Sequence, residues 1–221
     1  MATKNKTSTS RNTGRTKQIL DKLETVYTNA ECSLNFSNPL ELLIATILSA
    51  QCTDERVNLV TKDLFKKYRS AADYAGTATE TLENDIRSTG FYRNKAKNIQ
   101  GSCRMLQDTF HNSVPDRMED LLQLPGVARK TANVVLGTAF HKASGIVVDT
   151  HVFRVSRRLG LSGGKTPEDV ERDLMQSLPK EKWISFPHQA ILHGRMICKA
   201  RKPLCPRCPL ETLCDSDEKQ I

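Results

Sequence analysis

Apolar positions recur every three or four residues along almost the whole chain, the spacing that gathers them on one face of an α-helix. Ile19, Leu20, Leu23 and Val26 mark a first helix over Thr16 to Tyr27. Asn38 and Pro39 open the next one, with an Asn cap and a Pro in the first turn. There Leu42, Leu43, Ile44, Ile47 and Leu48 occupy most faces, so this helix is predicted to be buried and central. An amphipathic, Lys-rich helix follows over Asp54 to Tyr68. Thr79 to Arg87 and Tyr92 to Phe110 come next, separated by Gly90, and a short helix from Met118 to Leu124 stops at Pro125-Gly126. Arg129 to Phe140, Thr150 to Leu159, Pro167 to Leu178 and Glu181 to Met196 complete the set. The strand-like run Ile146-Val147-Val148 is too short to build a sheet. The pattern predicts an all-α protein, as one domain or two intimately joined ones.

Charge adds a partner to this picture. The 221 residues carry a net +8, unevenly spread. Residues 1 to 20 hold Lys4, Lys6, Arg11, Arg15 and Lys17 with no acid. Rich in Thr, Ser and Asn and without an apolar stripe, residues 1–15 are predicted to be a disordered basic tail, a solubilising leader or an extra foothold on a polyanion. The tail is short and not amphipathic, which disfavours an organelle transit peptide. No run approaches ~18 consecutive apolar residues, so no membrane span is expected. From Leu192 to Leu210 there are Arg195, Lys199, Arg201, Lys202 and Arg207, again with no Asp or Glu. Cations fixed in a segment without acids suit a phosphate backbone, so nucleic acid is the expected partner.

The same segment carries the cysteines. Cys198, Cys205, Cys208 and Cys214 form a C-x6-C-x2-C-x5-C run, while Cys32, Cys52 and Cys103 are scattered singly. An odd total of seven suits a reducing compartment better than a disulfide framework. Zinc sites usually pair two C-x2–4-C knuckles, and here only Cys205 and Cys208 make one. Four single thiolates suit a [4Fe-4S] cluster better, one per chain. Lys199, Arg201 and Lys202 sit on the loop between the first two of these cysteines.

The segment LLQLPGVARKTANVV, 121–135, reads as two helices joined by a tight turn. Pro125 ends one helix and Gly126 permits a turn that a β-carbon would hinder. The amides of Gly126, Val127 and Ala128 would then lie at a helix N-terminus, an anion site made of backbone. Taken alone, the segment is equally a plain corner between two helices.

LPGVARKTA resembles the helix-hairpin-helix of the DNA glycosylase superfamily, and the terminal cysteines match the spacing of its iron–sulfur branch. LSAQCTD at 48–54, GFYRNKAKNI at 90–99 and VDTHVFRV at 148–155 are similar to further landmarks of the endonuclease III family. The likeness covers roughly Leu23 to Cys214. It departs at Ala128, where the hairpin more often has a second Gly, and at Phe91, where the family often has a smaller apolar residue. The resemblance implies two helical domains with a cleft between them. One is a six-helix barrel over about 33–143; the other joins 16–32 to 144–221 and holds the cluster. It also implies a bifunctional DNA glycosylase and abasic-site lyase for oxidised pyrimidines. Such a protein is expected to act as a monomer on damaged duplex in the cytoplasm or nucleoid of a bacterium-like cell.

Within that resemblance Lys130 is the nucleophile. It lies in the first turn of the hairpin's second helix, where the dipole disfavours an ammonium and partial burial would lower its pKa further. The plainer alternative is a phosphate contact. Asp149 precedes a helix and would serve as its N-cap; the resemblance makes it the second catalytic residue, stabilising the cationic sugar. Gln51 and Phe91 are the matching positions for side chains that fill the stack when a nucleotide is extruded, although Gln51 could equally be a cap and Phe91 ordinary core. Two rivals fit less well. A monofunctional adenine glycosylase lacks the hairpin lysine and carries a further C-terminal domain, for which no room is expected after Cys214. A non-catalytic hairpin module leaves Lys130 and Asp149 without a joint explanation.

Overall fold

The computed structural model describes residues 6–220, and among them the regular structure is helical, with no strand. In chain order the helices are α1 (Lys6–Val26), α2 (Pro39–Leu48), α3 (Asp54–Lys67), α4 (Ala71–Gly76), α5 (Thr79–Asp85), α6 (Tyr92–Phe110), α7 (Met118–Leu121), α8 (Arg129–Ala139), α9 (Thr150–Arg158), α10 (Pro167–Ser177) and α11 (Ser185–Met196). The chain divides into two compact units. One is continuous, Cys32–Ser144; the other joins the segment ending at Glu31 to the segment beginning at Gly145.

In the continuous unit, α2 is the central helix that its composition predicts. Asn38 accepts a hydrogen bond from Glu41 N at 3.0 Å, with Pro39 in the first turn. Every residue from Leu42 to Leu48 is buried, covered by α3, α6 and α8. Helix α6 packs on its other side against α4 and α5. Gln100 of α6 donates to the carbonyls of Tyr74 and Thr77 at 3.3 and 2.8 Å, tying α4 down. Helix α4 is an addition to the six helices expected here. At six residues it is too short for apolar periodicity to register, and its signal is local: a capping box between Ser70 and Asp73.

In the discontinuous unit, α11 packs against both α1 and α9. Ile19, Leu20 and Leu23 of α1 join Val152, Val155, Val170, Leu174, Phe186 and Ala190 in one core. Gly194 lets α9 approach: a β-carbon there would lie 3.0 Å from His151 Nδ1. Two expectations need correction. Helix α1 begins at Lys6, so residues 6–15 are helical where the sequence predicts disorder; residues 1–5 lie outside the described residues. The physical reason at the end of that stretch is Arg15, which donates to the carbonyls of Leu159 and Leu213 at 2.8 and 2.6 Å and pairs with Asp215 at 2.8 Å. The helix predicted over Glu181 to Met196 is broken into a 3₁₀ turn at Lys180–Lys182 and α11. Among the described residues no helix is long and apolar enough to cross a membrane.

Candidate functional site

The hairpin between α7 and α8 is seated on α6. Gly126 has φ +78, and a β-carbon there would lie 2.7 Å from Asn98, so glycine is required by both backbone and space. Gly101 leaves room for Pro125, and Ser102 Oγ donates to Pro125 O at 2.7 Å. The turn differs from expectation at Val127. Its N–H donates to Leu124 O at 3.1 Å and its side chain is buried, so it is not free to meet an anion. Among the described residues neither Gly126 nor Ala128 gives its N–H to an internal acceptor. Ala128 is the N-cap of α8, with φ −92 and no capping side chain, and its methyl is exposed beside those amides.

Lys130 is the second residue of α8 and is exposed. The partial burial expected for it is absent from the free protein. Its position at the helix N-terminus is what the environment supplies here.

Asp149 is the N-cap of α9, and both of its capping bonds go to one oxygen. Oδ1 accepts from His151 N at 2.9 Å and from Val152 N at 2.8 Å. Among the described residues Oδ2 has no protein donor, and the residue is partly exposed. Capping thus occupies one carboxylate oxygen and leaves the other unengaged. Helix α9 runs from this carboxylate to the cysteine segment. Arg154 meets His151 Nδ1 at 3.2 Å and donates to Gly194 O and Cys198 O, both at 3.0 Å.

Cys198, Cys205, Cys208 and Cys214 line a single cavity in this unit, none in a disulfide and all partly buried. Among the described residues no three His, Cys, Asp or Glu side chains gather closely enough to hold one metal ion. Burial pushes the Cys208 thiol up to about 11, and the neighbouring cysteines push the same way. A thiolate there needs a cation beside it. His193, missed from the sequence, faces the same cavity. Tyr27 OH lies 2.9 Å from its Nδ1, and its Nε2 lies 3.7 Å from Cys208 Sγ. Burial pushes His193 down to about 4. The backbone of the basic loop is pinned by Arg158, which donates to Lys199 O at 2.7 Å and Ala200 O at 3.2 Å. Lys199, Arg201 and Lys202 themselves are exposed, with no acidic partner among the described residues.

Gln51 and Phe91 both belong to the continuous unit, and both have left-handed backbone, at φ 53 and φ 48. Gln51 is exposed and caps nothing, because Thr53 caps α3. Phe91 is 63% exposed, so the ordinary-core reading does not hold. Bulky residues held in this conformation and turned to solvent are costly, a pattern associated with functional sites.

A hairpin with two unengaged amides, followed by an exposed lysine at a helix N-terminus, is an anion-binding arrangement of a helical protein. The model of the HhH-GPD superfamily of base excision DNA repair proteins matches residues 44–180, and the chain belongs to that family. It is similar to the endonuclease III of Synechocystis sp. (strain ATCC 27184 / PCC 6803 / Kazusa), with 54% identity over 91% of this chain and 92% of the relative. Among solved structures, a non-covalent endonuclease III–DNA complex matches with 50% identity and a TM-score of 0.87, covering 92% of this chain and 95% of that one. A trapped endonuclease III–DNA covalent intermediate, an estranged-adenine complex, matches with 51% identity and a TM-score of 0.85, covering 90% and 95%.

Proposed function

We propose that this DNA glycosylase is bifunctional, removing oxidised pyrimidines from duplex DNA and then cutting the abasic strand. The observation that carries the reading is Lys130, exposed on the first turn of the helix that the Gly126 hairpin opens. Gly126 and Ala128 amides hold a phosphate of the damaged strand without reading a base. Neutral Lys130 Nζ attacks the anomeric carbon as the N-glycosidic bond breaks, and the departing base takes a proton. Asp149 Oδ2 stabilises the positive charge that develops on the sugar and relays protons around Nζ. The aminal opens to an imine between Nζ and C1′. Loss of a C2′ proton then expels the 3′ phosphate, and hydrolysis of the imine frees Lys130. A relative 51% identical to this chain has been captured as a covalent DNA intermediate, which supports an enzyme-bound step. The test is a duplex carrying thymine glycol or an abasic site. Strand cleavage on both supports the reading, and binding without cleavage would leave only the non-catalytic hairpin module.

The cysteine cavity fits a polynuclear group. Four thiols line it, and only Cys205 and Cys208 form the close pair that zinc sites usually have twice. Cys198, Cys205, Cys208 and Cys214 would each hold one iron of a [4Fe-4S] cluster, which when bound cross-links the segment and has no part in the bond cleavage. On this reading 33–143 is the barrel that carries the hairpin, and 16–32 with 144–221 is the cluster domain. The purified monomer should be brown, with four irons per chain and a broad visible band; one zinc and no iron would overturn the assignment.

The pinned loop carries a further prediction. Arg158 holds the loop backbone at Lys199 and Ala200, which supports the reading that Lys199, Arg201 and Lys202 meet DNA phosphates. Neutralising all three should weaken binding to damaged and intact duplex alike. The slope of log affinity against log salt should flatten by about 0.9 per lost contact. An unchanged slope would mean that the loop points away from the duplex.

A further inference from the structure

Lys95, the fourth residue of α6, has no part in the chemistry above, yet it is 4% exposed. Its Nζ donates to Leu48 O and to Thr89 O, both at 2.8 Å. Among the described residues no carboxylate pairs with it, and burial pushes its pKa down. A buried ammonium without a counter-ion is costly, and an apolar side chain of the same length would often pack at least as well. What the charge achieves must therefore be sought in the two carbonyls.

Each carbonyl is at the root of one unusual loop. Leu48 ends α2, and the chain then turns through Gln51. Thr89 ends a 3₁₀ turn, and the chain then passes through Gly90, at φ 70, into Phe91. The Lys95 backbone N–H adds a bond to Phe91 O at 3.1 Å. One residue thus cross-ties two loops, distant in sequence, whose exposed tips both have left-handed backbone. The geometry points to Lys95 as a positioning residue, which we propose fixes the spacing of Gln51 and Phe91 so that both side chains enter the duplex together as the damaged nucleotide leaves. This rests on the reading of Gln51 and Phe91 as stack-filling residues. Its physical basis is preorganisation: two wedges held at a set distance need no ordering at the moment of extrusion.

The test uses the intact, iron-loaded protein and one lesion, thymine glycol, placed either in a paired duplex or in an unpaired bubble with the same flanks. Lys95→Met keeps the aliphatic stem and removes both bonds. Excision from the paired duplex is expected to fall about tenfold, and excision from the bubble, where little stacking is lost, by less than about twofold. Because Lys95 acts through the two tips, Lys95→Met should add nothing further in a Gln51→Ala/Phe91→Ala background. Equal losses on both substrates, or full additivity, would reduce Lys95 to a structural residue and overturn the proposal. If Gln51→Ala and Phe91→Ala spare the paired duplex, the underlying stack-filling reading fails. If they lose it and Lys95→Met does not, the positioning role alone fails. Should Lys95→Met not fold, Lys95→Gln still donates to one carbonyl and is expected to show a smaller, duplex-selective loss; wild-type rates in Lys95→Gln would likewise overturn the proposal.

Discussion

Replacing Lys130 by Gln is expected to abolish both borohydride trapping and strand cleavage while leaving DNA binding almost intact. Borohydride reduces an imine to a stable amine, so trapping requires a side-chain amine at the sugar. Gln keeps the length and polarity of lysine and cannot form that imine. Lys130 is exposed and its neighbours in the turn are held by other bonds, Ser102 to Pro125 and Val127 to Leu124. The substitution should therefore change stability by no more than about 0.5 kcal/mol. On the proposed reading the phosphate is held by the amides of Gly126 and Ala128, so binding should survive. Cleavage of abasic duplex should fall by at least three orders of magnitude, roughly 4 kcal/mol of transition-state stabilisation. Gel-shift affinity, trapped product and single-turnover cleavage, measured on one preparation, separate these outcomes. Trapping that persists in Lys130→Gln would move the nucleophile to another amine.

The helices were legible where apolar residues recur over ten or more positions, as in α2, α6 and α8, because burial of one face is written directly into the spacing. Shorter pieces were not. Helix α4 depends on a capping box, and the break before α11 depends on a 3₁₀ turn that periodicity does not register. The start of α1 is not legible because composition says nothing about Arg15 reaching the carbonyls of Leu159 and Leu213, far along the chain. The candidate site shows the same division. The cysteine spacing and the LPGVARK hairpin are local patterns, so they could be read from the chain. Val127 looked like a third anion-binding amide because sequence does not reveal that its N–H is already engaged by Leu124. Lys95 and His193 carry no signal in the sequence, since each is one buried polar residue on an otherwise ordinary helix. What makes them informative is which carbonyl or sulfur the folded chain brings within reach.

Asp149→Asn is expected to lower base excision by two to four orders of magnitude with stability and DNA binding preserved, about 3–5 kcal/mol in the transition state. The geometry gives this substitution unusual resolving power. Both capping bonds fall on Oδ1, at 2.9 Å from His151 N and 2.8 Å from Val152 N, and an asparagine oxygen can accept both. Asn caps a helix about as well as Asp, so the start of α9 should hold. What disappears is the negative charge and the basicity of Oδ2, the atom without a protein donor among the described residues. Asp149→Ala removes cap and charge together. It should cost a further ~1 kcal/mol of stability, lowering the thermal midpoint by about 2–4 °C for a chain of this size. A catalytic carboxylate therefore predicts near-equal loss of excision in Asn and Ala, with a stability loss in Ala alone. A residue that only caps predicts the reverse, with Asn behaving as wild type. Two groups that act in one step predict, for the double variant with Lys130→Gln, losses well short of the sum. Single-turnover excision beside a melting curve decides between the two roles, and full activity in Asp149→Asn would leave Asp149 as a helix cap and nothing more.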